Sequence, residues 1–215
     1  MQTHPLSLLL DQAAHGRFPP ADGSVEVVGS PPGPSDAVVA FSSHNVVAAS
    51  VDRAEVLARL PTGDPGAPMH PEFLVWLGDR LGSGPGMLDL VMVRIGHPVP
   101  SAVLLAPRDG VGGHPRVERS LRYRTEVAVF SDPERHGIVV IGRGLAGRHE
   151  VSIDIDPASR GRGLGRAMAA AAVTLVPEGE PLFAQVSPGN VASVRAFLAA
   201  GYRPICSEVL FLRPR

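Results

Sequence analysis

The stretch SRGRGLGRAM, residues 159–168, constrains the fold of this chain more than any other segment. It alternates glycine with arginine, follows a strand-like run at 148–155 and leads into an alanine-rich, helix-like run at 163–176. That order places bare backbone, positive charge and a helix N-terminus together. Helix N-termini whose amides can be approached closely bind anions, typically phosphate. The stretch therefore predicts a phosphate cradle between a strand and a helix.

Two common phosphate-binding motifs do not match this spacing. A Walker loop requires a lysine, and the chain has none. A dinucleotide fingerprint requires G-x-G-x-x-G and an acidic residue about 20 positions further on. Here the spacing is G-x-G-x-G, and Glu178 and Glu180 come too early. From these residues alone, a glycine-rich turn with solvated arginines stays open as the alternative to an anion site.

The rest of the chain predicts short strands that alternate with helices. The helices are expected at 52–60, 70–82, 116–123, 163–176 and 190–201. The strands are expected at 25–28, 37–41, 46–49, 87–95, 125–130, 138–145, 148–155 and 181–187, with one strand or a pair in the tail PICSEVLFL. Pro and Gly punctuate residues 96–115, which is the best linker candidate and divides the chain into regions 1–105 and 106–215.

Charge is distributed unevenly along the chain. Residues 1–105 carry 5 arginines and 10 acidic residues, and residues 106–215 carry 15 arginines and 11 acidic residues. A basic C-terminal half suits a small anionic ligand or attraction between the halves, and it is not basic enough to indicate nucleic acid. Cys206 is the single cysteine, and no apolar run approaches the ~20 residues of a membrane span. We therefore expect a cytoplasmic protein with no membrane partner.

Two segments of the chain resemble, in the same order, two sequence motifs of the GNAT N-acetyltransferase superfamily. Arg160-x-x-Gly163-x-Gly165 is similar to its Q/R-x-x-G-x-G/A motif, and VSIDIDP precedes it as the family's strand and Asp-Pro lead-in do. SPGNVASVRAFLAAGYRPI resembles the second family block, in which an Asn starts a helix that ends at Gly-aromatic. The resemblance covers about residues 115–215 and leaves 1–105 as an N-terminal α/β region of unknown role.

The resemblance implies an α/β fold with a mixed, mostly antiparallel sheet, splayed central strands and flanking helices. It also implies acetyl-CoA as cosubstrate and no metal. Backbone at the strand end would face the acetyl and pantetheine arm, the glycine-arginine loop would hold the pyrophosphate, and an asparagine would reach pantetheine. The cofactor-binding residues carried over in this way are Ile153, Asp154, Ile155, Arg160, Gly161, Arg162, Gly163, Leu164, Gly165, Arg166 and Asn190.

The chain departs from the family at two common catalytic positions. Gln185 stands where some members have a glutamate base, and Phe197 stands where many have a tyrosine acid. Glu150 is the first substitute we consider as base and Tyr202 a further catalytic candidate. His149 and Cys206 are weaker alternatives, and positioning alone, with the amine losing its proton to solvent, also stays open.

The expected function is an N-acetyltransferase in which a primary amine attacks acetyl-CoA directly. A non-catalytic acyl-CoA-binding or regulatory module is the alternative, and Gln185 and Phe197 favour it. A member acting on tRNA is compatible with the basic half, but the acidic half argues against it. The acceptor is not identified by any motif, although the acidic N-terminal half favours a cationic amine. The final strands leave a homodimer open.

Overall fold

The computed structural model of the chain describes residues 3–98 and 103–214. The helices are Pro5–Ala14 (α1), Arg53–Arg59 (α2), Pro71–Leu81 (α3), Pro115–Tyr123 (α4), Leu164–Ala172 (α5) and Val191–Ala199 (α6). The strands are Val25–Val28 (β1), Ser35–Phe41 (β2), His44–Ala48 (β3), Pro85–Ile95 (β4), Ala106–Pro107 (β5), Thr125–Ser131 (β6), Gly137–Arg143 (β7), His149–Ile155 (β8), Pro181–Val186 (β9) and Arg203–Leu212 (β10).

The described residues form two compact units. The first comprises those of Met1–Leu90, Leu145–Gly147 and Ile205–Arg215. The second comprises those of Val91–Gly144 and Arg148–Pro204. The division of the chain at residues 105 and 106 stays a prediction. Residues 99–102 of the predicted linker lie outside the described residues, and Ala106–Pro107 within that linker form β5.

The first unit is built on strands in the order β1-β3-β2-β10. β1 runs parallel to β3, while β2 is antiparallel to both β3 and β10. Apolar side chains of the sheet and of helices α2 and α3 form its core, which includes Val38, Val47, Val56, Leu77 and Phe211. Helix α2 begins where its sequence predicts, because the Asp52 carboxylate accepts a hydrogen bond from the Glu55 amide at 3.0 Å.

The second unit holds the glycine-arginine stretch. Its strands follow the order β9-β8-β7-β6-β5, and neighbours are antiparallel except for the parallel pair β8 and β9. Helix α4 packs Val117 against Ile138 and Val140 of β7. Helix α5 follows β8 and approaches it closely, since a Cβ on Gly165 would lie 3.7 Å from the Ile155 side chain.

The predicted fold class is confirmed: the chain is mixed α/β, with mostly antiparallel strands flanked by helices. Each predicted helix and strand is present, with ends shifted by a few residues. The tail forms the single strand β10. The two-residue strand β5 was not predicted from the sequence, and neither was helix α1. Pro5 at its first turn and the His4 side chain, which accepts from the Leu6 amide, are ordinary helix-start signals.

Candidate functional site

Strands β8 and β9 pair over only part of their length. His149, Glu150 and Val151 lie opposite Leu182, Phe183 and Ala184, and the pairing ends there. β8 nevertheless continues to Ile155 and stays paired with β7 on its other edge throughout. The backbone groups of residues 152–155 that face β9 therefore have no partner in that strand. We call the space between 152–155 and the end of β9 the strand gap.

The loop after β8 leads from this gap to an uncapped helix. Gly163 is the N-cap of α5 and supplies no side-chain hydrogen bond, and the first intrahelical bond runs from the Ala167 amide to the Gly163 carbonyl at 3.1 Å. Helix geometry leaves the amides of Leu164, Gly165 and Arg166 without carbonyl partners in the helix. Gly163 has a φ of +83°, and a Cβ there would meet nothing within 4 Å. Donors, positive helix end and open space thus coincide, as an anion site requires.

The arginines of the loop differ in how they are held. The Arg160 Nε donates to the Ile155 carbonyl at 2.8 Å, and its Nη2 lies 3.6 Å from Asp154 Oδ1. Arg162 and Arg166 are exposed. Arg160 therefore closes the loop back onto the end of β8, while the other two leave their charge near the helix N-terminus. This turn brings together the residues of 153–166 that the sequence predicts to bind the cofactor.

Asn190 caps the helix that follows β9. Its Oδ1 accepts a hydrogen bond from the Ser193 amide at 3.2 Å, as the sequence predicts for a helix start. The side chain is exposed, and its oxygen is engaged in the cap. The side-chain NH₂ is consequently the group that would serve a ligand there.

Glu150 lies in a buried ion network and is only 1% exposed. Its two oxygens accept hydrogen bonds from the Nε atoms of Arg124 and Arg148, both at 2.9 Å. The Gln185 amide donates to the same carboxylate at 2.9 Å. A Cβ on Gly144 would overlap the Glu150 carboxyl, so the backbone at Gly144 packs directly against this carboxylate. The first of the two predicted catalytic residues is thus buried, and both of its carboxylate oxygens accept hydrogen bonds.

Tyr202, the second predicted catalytic residue, is 2% exposed and packs edge-on against Phe197, with ring centroids 4.9 Å apart. Burial raises the pKa of its hydroxyl. Cys206 is also buried. His149 lies with Nε2 2.8 Å from Glu180 Oε2, and desolvation lowers its pKa. Tyr202 and Cys206 thus have the surroundings of core residues, and His149 has those of an ion-pair residue.

A histidine–aspartate pair, His114 and Asp154, lies at the open end of β8 and was not predicted from the sequence. His114 Nδ1 accepts a hydrogen bond from the Arg116 amide at 3.1 Å and so caps α4. The neutral ring therefore carries its proton on Nε2, which lies 4.0 Å from Asp154 Oδ2. The sequence His-Pro before a helix indicates that the histidine can cap the helix. Its partner Asp154 lies 40 residues further along the chain, and a local sequence pattern does not predict such a contact.

Comparisons with known proteins find solved structures that are similar to this chain, but no match to a family model or a curated protein. A GCN5-related N-acetyltransferase from Kribbella flavida is similar with a TM-score of 0.42 and 15% identity, over 66% of this chain and 64% of that one. Another, from Sphaerobacter thermophilus, has a TM-score of 0.38 and 16% identity, over 66% and 57%. A tandem GNAT protein from the clavulanic acid biosynthesis pathway has 0.38 and 12%, over 71% and 59%.

The chain thus covers less than two thirds of the length of each of these proteins. Each of the three is described as a GCN5-related N-acetyltransferase or a GNAT protein. Within the described residues, no helix is long and apolar enough to cross a membrane, and no His, Cys, Asp and Glu group is arranged to hold a metal ion.

Proposed function

We propose that the chain is a GNAT-type N-acetyltransferase that moves the acetyl group of acetyl-CoA to a primary amine. The observation that carries the proposal is the strand gap leading directly to the uncapped N-terminus of α5. The amides of residues 164–166 suit the pyrophosphate, and Arg162 and Arg166 add charge. The open edge of β8 at 152–155 suits the amide groups of pantetheine, which would pair with it as an added strand does.

The transfer itself needs a neutral amine and a polarised thioester. The amine nitrogen forms a bond to the carbonyl carbon, the C–S bond breaks, and its electron pair leaves on the CoA sulfur. A backbone N–H of the open edge of β8 would donate to the oxyanion. Positioning in the gap supplies much of the rate, because it makes the attack effectively intramolecular.

We infer that Asp154 receives the proton that the amine loses. It lies on the open part of β8, is 36% exposed and faces His114 Nε2 and Arg160. We do not assign this role to His114, since its Nδ1 already accepts a hydrogen bond from the Arg116 amide. Glu150 and Tyr202 are both buried, which argues against the catalytic roles expected from the sequence.

A non-catalytic acyl-CoA-binding module is the second candidate. Gln185 and Phe197 do not titrate at ordinary pH, and the buried Glu150 does not replace them. Release of CoA thiol in the presence of primary amines separates the two candidates. We expect amine-dependent release by the wild-type chain and little by Asp154→Asn. Acetyl-CoA binding without thiol release across a broad amine panel would favour the module.

A further inference from the structure

We propose that the first unit holds a binding site of its own, for a small organic cation that has an apolar body. The site is a cavity of about 450 Å³, lined by residues around β1, by Ser43 in the β2–β3 turn and by residues between Leu57 and Pro68. All of them belong to the first unit. Cavities that hold small molecules measure about 300–1,000 Å³, so this one has the required size. The inference goes beyond the proposed function and does not depend on it, because acetyl-CoA has no part in it.

Hydrogen bonds hold the segments that line the cavity. The Gly23 amide donates to the Ser43 carbonyl at 2.7 Å and so joins the start of β1 to the β2–β3 turn. The segment after α2 is held by Asn45, a buried residue of β3 whose Nδ2 donates to the Pro65 carbonyl at 2.8 Å. Pro61 and Pro65 restrict the backbone of that segment further. The cavity is therefore formed before a ligand enters it, which lowers the ordering cost of binding.

Part of the lining is apolar. Val25 of β1 and Leu57 and Leu60 at the end of α2 line the cavity, and each is only partly buried. Val25 and Leu60 also pack against the core of the first unit. A ligand with a hydrocarbon body would remove this apolar surface from water, which is favourable in proportion to the area covered.

Asp64 is the charged residue among the described residues that line the cavity. Its Oδ1 accepts a hydrogen bond from the Gly66 amide at 2.8 Å, which fixes the carboxylate within its turn. His70 Nε2 lies 3.6 Å from Oδ2, which is beyond hydrogen-bond distance. The Asp64 side chain is 38% exposed, so Oδ2 can accept a hydrogen bond from a ligand.

The combination of one carboxylate with apolar walls selects the charge of the ligand. An anion would be repelled by Asp64, and a neutral hydrocarbon would desolvate the carboxylate without replacing its bonds to water. An ammonium group on a hydrocarbon body donates a charge-assisted hydrogen bond to Oδ2 and covers the apolar walls. The charge of residues 1–105, with 5 arginines against 10 acidic residues, favours the same sign. The cavity thus suits an amphiphilic amine.

Two probes of the same shape separate charge from hydrophobicity. Cyclohexylmethylamine is protonated at neutral pH, and cyclohexylmethanol has the same ring without the charge. Each is titrated at constant ionic strength into the ¹⁵N-labelled full chain without acetyl-CoA, and the amide signals of Gly23 and Gly63 in the lining are followed. The amine should produce shifts that saturate. We expect the alcohol to bind at least about tenfold more weakly, because it lacks the charge-assisted bond to Asp64.

A pair of charge variants tests the assigned residue. Asp64→Asn keeps a side-chain oxygen for the Gly66 amide and removes the charge, so it should raise the Kd of the amine at least about tenfold and leave that of the alcohol nearly unchanged. Asp79→Asn removes an exposed carboxylate of α3 that does not line the cavity, and it should bind the amine as wild type does.

A second pair of variants tests the space. Ala21→Trp places a bulky side chain at an exposed lining residue and should abolish the shifts with both probes. Ala54→Trp, at an exposed position of α2 outside the lining, should leave them intact. The absence of saturable shifts with the amine in wild type would overturn the inference. Equal affinities for the amine and the alcohol, or wild-type affinity for the amine in Asp64→Asn, would overturn it as well.

Discussion

Glu150 and Arg124 form a buried pair, with Arg124 Nε donating to Glu150 Oε2 at 2.9 Å. Arg148 holds the other oxygen, so the carboxylate ties the strand before the gap to the segment after α4. The pair lies one residue before the end of β8–β9 pairing. We therefore assign Glu150 a structural role at the closed end of the strand gap.

Glu150→Gln should destabilise the chain strongly, because it leaves two buried guanidinium groups without their carboxylate. Breaking a buried pair in this way costs about 3–5 kcal/mol in the free energy of unfolding, to be measured by urea denaturation. Glu126→Gln, at an exposed residue 3.8 Å from Arg143, is the control, with an expected loss of about 0–1 kcal/mol. A fully stable Glu150→Gln with greatly reduced turnover would instead assign the carboxylate a catalytic role.

Gly144→Ala tests how tightly the backbone at Gly144 packs against the Glu150 carboxylate. The new methyl group would overlap the Glu150 carboxyl and displace it from its arginines. Overpacking of this kind costs about 1–3 kcal/mol, which thermal unfolding would detect as a lower Tm. Gly112→Ala is the matched control, since a Cβ there meets nothing within 4 Å. Equal Tm values for the two variants would mean that Gly144 and the Glu150 carboxylate are not in close contact in solution.

Asp154→Asn should lower kcat while leaving the affinity for acetyl-CoA nearly unchanged. Loss of a general base typically costs about 10²–10⁴ in rate. Glu118→Gln, an exposed carboxylate of α4, controls for the lost charge. A wild-type kcat in Asp154→Asn would contradict the assignment and leave proton loss to solvent as the mechanism.

His149 should make the chain less stable in mild acid. Desolvation is the main reason that its folded-state pKa lies below the ordinary value of 6.5, and Arg143 adds to the effect. The unfolded chain therefore binds the proton more readily, and the contribution of His149 to stability falls as pH drops through about 6.5. Urea denaturation between pH 8 and 5 should show a shallower pH dependence for His149→Gln. An unchanged slope would contradict this assignment.

Local signals in the sequence predicted much of this structure. The helices predicted at 52–60, 70–82 and 190–201 have Asp52, Gly82 and Asn190 as caps at those ends, and the strand–turn–helix order around Gly163 is as expected. Each depends on residues within a few positions of one another. The predicted use of Glu150 as base depended instead on which distant groups cover one side of β8. Arg124 lies 26 residues before it, and local pattern does not show such a pairing.

Calorimetric titration of acetyl-CoA tests the cradle most directly, with wild type, Gly163→Glu and Gly179→Glu compared. Both glycines have positive φ and open space around them, so the variants share the same strain and the same new charge. Only Gly163 lies at the start of α5. We predict micromolar binding by wild type and Gly179→Glu and its loss in folded Gly163→Glu. Wild-type affinity in Gly163→Glu, or no binding by the wild-type chain, would contradict the account.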